Sequence, residues 1–490
     1  MRNKLLGAIA AVAAGAGSAV AQAPPPPMAI GPAGGMTGGP AGPNMAPPGG
    51  MGAGMGMAGP ETGGMAGPGM LGGSGMGGPG MGAPGLDGYG MPGYPAGIHG
   101  QQQYSPPARE GLFGVGPDSR LAARRWVNFE YLLWFGDSQP NRFPLLTTGA
   151  PASSGVPGAT STRRLGPESD YEYNVFSGFR IETGFYVDDA LRRGIYLSGF
   201  LTEQKSNITS VRSDATGQPL LARPFINAAT GGADVLLVSF PTFASGQATA
   251  YTASQLYGAE GGSWTNLYRS CPEDGVFASL NLLAAFRYLQ LYETLRVEQS
   301  TTLLDGGTAQ FDGKLYGAPA TIGVVDEFEV YNRFYGGQVG VNAELRRNRW
   351  SVNATAKLAL GVMNERLDVR GFSTLSGTGT NANSTVSGGL YANANNIGRI
   401  DEDRFCVIPE GTINIGYSLR SWLTASIGYN ILYASRVARP GEQFNPVVNP
   451  GLIPTSASFG LGNVPPTPRP QIVQGDYLMQ GIQFGLSARY

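Results

Sequence analysis

Downstream of about Arg125 the chain alternates apolar and polar residues with a period of two. Val127, Phe129, Tyr131 and Leu133 share one parity, with Asn128 and Glu130 between them. Tyr171, Tyr173, Val175, Ser177, Phe179 and Ile181 repeat the pattern against Glu172, Asn174, Arg180 and Glu182. Val339, Val341, Ala343 and Leu345 stand opposite Gln338, Asn342 and Glu344, and Trp350, Val352, Ala354, Ala356, Leu358 and Leu360 stand opposite Ser351, Asn353, Thr355 and Lys357. One apolar and one polar face at period two is the pattern of a β-strand. It predicts strands over 125–135, 172–186, 193–204, 251–268, 277–298, 327–345, 349–364, 404–419, 421–435 and 476–490. The weakest is 251–268. A further strand-like run, Asp234 to Phe240, would raise the count from ten toward twelve.

Such alternation fits a soluble sandwich, apolar face inward, or a membrane barrel, apolar face toward lipid and polar face inside. Length favours the barrel, because soluble strands run to ~5–6 residues and spanning strands need ~9–11. Aromatics near the segment ends (Trp126, Trp134, Tyr186, Trp350, Tyr429, Tyr433) are where an interfacial girdle would stand. The connections alternate too: long at 136–171, short at 187–192, short at 269–276, a tight turn from Arg346 to Asn348, and a single residue, Arg420, between two late strands. Outer-membrane barrels have short periplasmic turns and long outer loops, which places the tail and the C-terminus in the periplasm. The expected fold is an all-β transmembrane antiparallel up-and-down barrel of about ten strands (10–12) over 125–490. Ile482, Phe484, Leu486 and Tyr490 share one face of the last strand, which resembles the C-terminal signal by which the barrel-assembly machinery recognises outer-membrane barrels.

The N-terminal region changes the picture of where the chain goes. Arg2 and Lys4 precede an apolar stretch, Leu5 to Ala14, and Ala19-Val20-Ala21 reads as a cleavage site, so residues 1–21 are expected to be a signal peptide. Residues 22–124 follow as a Gly/Pro/Met-rich periplasmic tail, expected to be disordered. From Pro24 to Pro107 there are 29 Gly, 17 Pro and 11 Met, too little side chain to offset ordering entropy. Met51, Met55 and Met57 cluster thioethers that suit Cu(I), against the plainer view of a compositionally biased tether.

Several phrases resemble the seventh family of outer-membrane β-barrel porins of planctomycete bacteria. They are Trp126 to Trp134 followed by Phe143 to Thr148, then Phe286-Arg287-Tyr288-Leu289 and Asn332 to Gln338. The closest is Gly428 to Tyr433 followed by Arg439-Pro440-Gly441-Glu442. The resemblance covers about 125–490 and implies an outer-membrane barrel. It carries no catalytic motif.

Composition then limits the chemistry. A net charge of −1 gives no basic field for nucleic acid, and two Cys with one His cannot form a four-ligand zinc site. His99 lies in the tail, so imidazole catalysis in the barrel is not expected, and no enzyme activity, cofactor or metal is assigned. Strand parity puts Arg180, Glu182, Arg287, Glu344, Lys357 and Glu410 on the lumen wall. Those charges fit passive diffusion of small solutes through a narrow polar lumen, or they pair across it and plug it. The alternative is a non-conducting structural or adhesive surface barrel acting through long outer loops, with outer-membrane lipid as its surroundings. Asp401-Glu402-Asp403 at the outer mouth has the oxygen ligands for Ca²⁺ but lacks the spacing of a calcium loop. Cys271 and Cys406 are expected at opposite ends of the barrel, as free thiols.

Overall fold

The computed structural model describes residues 124–270, 275–377, 383–461 and 467–490. The expected leader, the tail with its methionines and His99, and Cys271 lie outside the described residues.

Ten antiparallel strands close into a ring. They are β1 (Arg125–Gly136), β2 (Val175–Tyr186), β3 (Arg193–Thr202), β4 (Ala244–Arg269), β5 (Val276–Leu303), β6 (Thr321–Arg347), β7 (Trp350–Ser376), β8 (Gly398–Ser418), β9 (Leu423–Ala438) and β10 (Gln474–Arg489). Each pairs with its sequence neighbours, and β10 pairs with β1 to complete the barrel, Leu486 opposite Phe129 and Phe484 opposite Tyr131. Short turns join β2–β3, β4–β5, β6–β7 and β8–β9 at one end, where β1 begins and β10 finishes; long connections join the strands at the other. Closure removes unpaired sheet edges, which a lipid environment does not tolerate.

The two parities separate as the alternation requires. Phe179, Ile181, Leu197, Val339, Val341, Leu358, Leu360, Phe405, Ile413 and Ile427 point outward, with exposures between 43% and 64% for all but Leu358, at 39%. A row of large apolar side chains left this open is a lipid-facing belt. Tyrosines border it toward the long connections: the rings of Tyr257, Tyr288 and Tyr335 stand 6.3 and 5.2 Å apart in sequence around the wall. Trp350 and Tyr417, 5.0 Å apart, border it at the short-turn end. Beyond the tyrosines β5 to β8 continue, at 28, 27, 27 and 21 residues, as a wall taller than β1 to β3. The outward positions there become charged and pair across strands, as Arg370 does with Glu329 at 2.7 Å and Arg366 with Asp401 at 2.8 Å.

Four expectations are corrected. Trp126, Trp134 and Tyr186 point into the barrel, not to a girdle: Trp126, Tyr186 and Trp264 pack together with centroids 4.9 to 5.8 Å apart. β2 starts at Val175 and not at 172, because Asn174 adopts a left-handed backbone (φ 57°) and breaks the run. Asp234–Phe240 does form a strand, but outside the barrel, so the ring stays at ten. Asp401 to Asp403 belong to β8, not to a loop; Asp401 pairs with Arg366, Glu402 with Arg404, and Asp403 accepts from Asn364 at 2.8 Å. Alternation turns Glu402 away from its two neighbours, which divides the carboxylates between two faces.

The long connections fold over and into the open end. Leu220–Asn227, Ala233–Ser239, Leu146–Gly149, Arg163–Leu165 and Val447–Val448 form a five-stranded sheet drawn from three different connections. Beneath it lies a buried apolar core that includes Leu146, Leu221, Phe225, Val297, Phe328, Leu367, Tyr391 and Val448.

Candidate functional site

The barrel interior has three tiers. At the short-turn end a cavity of about 250 Å³ opens between the strands. One wall carries a ladder of amides across four neighbouring strands: Asn266 Nδ2 donates to Asn281 Oδ1 at 2.8 Å, Asn281 to Asn342 at 3.1 Å, and Asn342 to Asn353 at 3.1 Å. The adjoining wall is the Trp126, Tyr186 and Trp264 cluster, with Glu182 accepting from Asn128 at 3.0 Å and from the Trp126 indole at 3.4 Å. The bulky indoles fit because strand glycines lie beside them: a Cβ at Gly184 would collide with Trp126, and one at Gly194 with Trp264.

The second tier is ionic and crosses the whole lumen. Glu410 receives Arg287 at 2.6 Å and Arg180 at 3.2 Å, and Asn430 donates to it at 2.9 Å. Arg180 also reaches Glu130 at 3.4 Å. Glu260 binds Lys357 and accepts from Gln338 at 2.9 Å, and Gln338 in turn accepts from Arg287 at 2.9 Å. Gln483 joins Asn414 at 2.8 Å. Nine of the ten strands contribute, through Glu130, Arg180, Glu260, Arg287, Gln338, Lys357, Glu410, Asn430 and Gln483. Three cations face three carboxylates, so the layer is neutral and held together across the barrel. Charges this buried are tolerated only when paired and hydrogen-bonded.

The third tier is apolar. Leu132, Trp134, Phe176, Leu256, Leu289, Phe334, Met363, Cys406, Ile408, Leu432 and Met479 come from opposite walls and meet inside, all buried. Arg180 joins this tier to the ionic one, with its guanidinium 5.3 Å from the Trp134 ring and 5.6 Å from that of Phe200. Cys406 is a free thiol in this layer; Cys271, its would-be partner, is not described.

Two buried ion pairs hold the connections above this layer. Arg439 binds Glu293 of β5 through both oxygens, at 2.6 and 2.7 Å, and stands 5.1 Å from the Tyr477 ring. Beside it Asn332 exchanges two hydrogen bonds with the Ala438 backbone, at 2.8 and 2.7 Å. Higher up, Arg223 pairs with Asp326 at 2.5 Å and stacks 5.0 Å from Tyr391, both ionic side chains being 0% exposed. Asp326 also accepts from the backbone N–H groups of Leu390, Tyr391 and Ala392. Tyr391 donates to the Pro224 carbonyl at 2.7 Å, and burial pushes its phenol well above its ordinary pKa. Burial likewise pushes the Tyr171 phenol up to about 12.

Of the residues that strand parity places in the lumen, Arg180, Arg287, Lys357 and Glu410 meet in the ionic tier, while Glu182 and Glu344 line the cavity below it. Ile482, Phe484 and Leu486 lie on the outward face of β10, with Tyr490 just past its end; Ile482 and Phe484 stand opposite Tyr429 and Ile427 of β9. Sequence reasoning missed Glu260, Asn430 and Gln483. Glu260 sits in Gly258-Ala259-Glu260-Gly261-Gly262, where no large apolar residue marks the other face. Replacing Glu410 with Gln removes a charged acceptor from two guanidinium groups, and an expected loss of about 2 kcal/mol follows. A urea-unfolding midpoint in lipid vesicles reads it; an unchanged midpoint would mean that the two arginines find other acceptors.

Comparison with known proteins adds a family. The sequence profile described as "Putative beta barrel porin-7 (BBP7)" matches residues 126–490. No curated protein matches the chain. Among solved structures, the outer membrane protease OmpT from Escherichia coli aligns at 8% identity and a TM-score of 0.30, over 77% of this chain and 98% of that one. A Pseudomonas aeruginosa FadL homologue aligns at 10% identity and a TM-score of 0.19, over 77% and 95%. The P. putida toluene transporter TodX aligns at 8% and 0.19, over 76% and 94%.

Proposed function

This chain belongs to the beta barrel porin-7 family, and we propose that it is an outer-membrane β-barrel with a shut lumen, a scaffold that displays its long connections at the cell surface. One observation carries this: side chains from opposite walls fill the interior with a buried apolar layer, and the cations of the ionic tier beneath it are each paired with a carboxylate. A ten-stranded barrel is only slightly wider than the eight-stranded kind, whose interior side chains fill. Long connections at one end and short turns at the other support an orientation with the short turns, the N-terminal tail and the C-terminus in the periplasm. The same orientation supports Ile482, Phe484, Leu486 and Tyr490 as the strand face that the assembly machinery reads. This role assigns no reaction to the chain.

The polar cavity at the short-turn end favours a second reading, passive diffusion of small solutes. It requires the apolar layer and both tethered connections to move aside. Liposome swelling separates the two: vesicles carrying the full chain should take up a small neutral sugar no faster than empty vesicles. Uptake that rises with protein density would establish the diffusion reading instead.

A further inference from the structure

Among the described residues, the rim of the cavity at the short-turn end has more positive charge than its partners neutralise. Arg269, Arg346 and Arg489 line it; among the described lining carboxylates Glu344 forms ion pairs with two of them, and Glu182, farther in, adds to the field at Arg489. Glu344 is shared, binding Arg346 closely and Arg489 at 3.4 Å. Arg269 forms no ion pair with a carboxylate among the described residues; its Nη1 reaches the Leu191 carbonyl at 3.4 Å, its side chain hydrogen-bonds that of Tyr186, and its buried Nε lacks an acceptor. Arg269 and Arg346 both lie over the ring of Phe277, at 5.5 and 5.4 Å, which fixes the two guanidinium planes. Each guanidinium offers five N–H donors in a fixed fork, and one shared carboxylate cannot occupy three of them.

We propose that this rim is a binding site for a small multivalent oxyanion, held by Arg269, Arg346 and Arg489. Planar guanidinium forks match carboxylate and phosphate oxygens in pairs. The ionic tier above the cavity is already neutral, and its orphaned atoms, Asn430 Oδ1 and Gln483 Oε1, are acceptors, so an incoming anion finds its unmet donors at the rim and not deeper. The site does not depend on whether the lumen conducts, and its failure would leave the shut lumen untouched.

The test is isothermal titration of the full chain, folded in detergent micelles at low ionic strength, with citrate and with inorganic phosphate as probes and a neutral sugar as control. Saturable one-to-one binding of an anion is expected, weakening as salt is added. Arg269→Gln should weaken it about tenfold, the loss of one charge-assisted contact. Glu344→Gln should strengthen it several-fold by releasing Arg346 and Arg489. Variants are compared only where heat-modifiable migration shows a folded barrel. Binding of citrate alone identifies a carboxylate ligand, and binding of phosphate alone a phosphate. Absence of saturable binding of either anion to the folded barrel overturns the proposal, as does an affinity that Arg269→Gln and Glu344→Gln leave unchanged or shift in the same direction.

Discussion

Replacing Arg439 with Ala is expected to release the connection 439–473 from the barrel interior. The variant leaves Glu293 at 0% exposure without its bidentate partner, and breaking a buried pair from one side costs about 3–5 kcal/mol. The loss falls on the connection, because Glu293 is fixed on β5 whereas Arg439 lies just beyond the end of β9. Hydrogen exchange reads this locally: the Ala438 N–H, held by Asn332, and the Val473 N–H, held by Gln443 at 2.8 Å, should exchange on the order of 10²–10⁴ times faster. The double variant Arg439→Met with Glu293→Leu keeps the volume and removes both charges, so it should recover most of the protection. If the double variant is as loose as the single one, the ion pair is not what anchors this segment.

Asp326→Ala is the second large effect. It deprives three successive backbone N–H groups of their acceptor and leaves the Arg223 guanidinium buried and unpaired. About 3–5 kcal/mol is again expected, read as proteolytic cleavage within 383–397 and within the Leu220–Ser239 hairpin, which the wild type is expected to resist. Asp326→Asn keeps an oxygen for the turn and should fall between the two. Gly389 shows how closely the turn sits on the carboxylate: a Cβ there would collide with Asp326 Oδ1. Resistance to cleavage in Asp326→Ala would show that the cap sheet alone holds these connections.

The barrel was legible because a lipid-facing wall demands an unbroken apolar parity, and β1, β6, β7 and β10 supply one. β4 was harder to read. Its membrane stretch is Gly258 to Gly262, small residues that let neighbouring strands and lumen side chains approach but leave the parity nearly blank. The interior tryptophans carried a usable signal. Trp126 and Trp134 share the parity of Asn128 and Glu130, and that alone places them in the lumen, whatever an aromatic near a strand end resembles. The room for them came from residues elsewhere: Gly184 lies against Trp126 and Gly481 against Trp134. The tethers were not legible at all. Arg439 and Glu293 are 146 residues apart, and Arg223 and Asp326 are 103 apart, with no period to link a connection to the wall it enters. The phrases that carried the family resemblance now have physical content. Arg287 and Gln338 build the ionic tier, Leu289 and Phe334 the apolar one, and Asn332 and Arg439 hold the inward connection in place.

Single-channel recording of the purified full chain in a planar bilayer tests the shut lumen most directly. A folded, heat-modifiable barrel inserted in either orientation should give a silent trace at moderate voltage. Reproducible stepwise openings from the same preparation would contradict the account, because ions would then be crossing a layer that the structure fills with Trp134, Phe334 and Leu289.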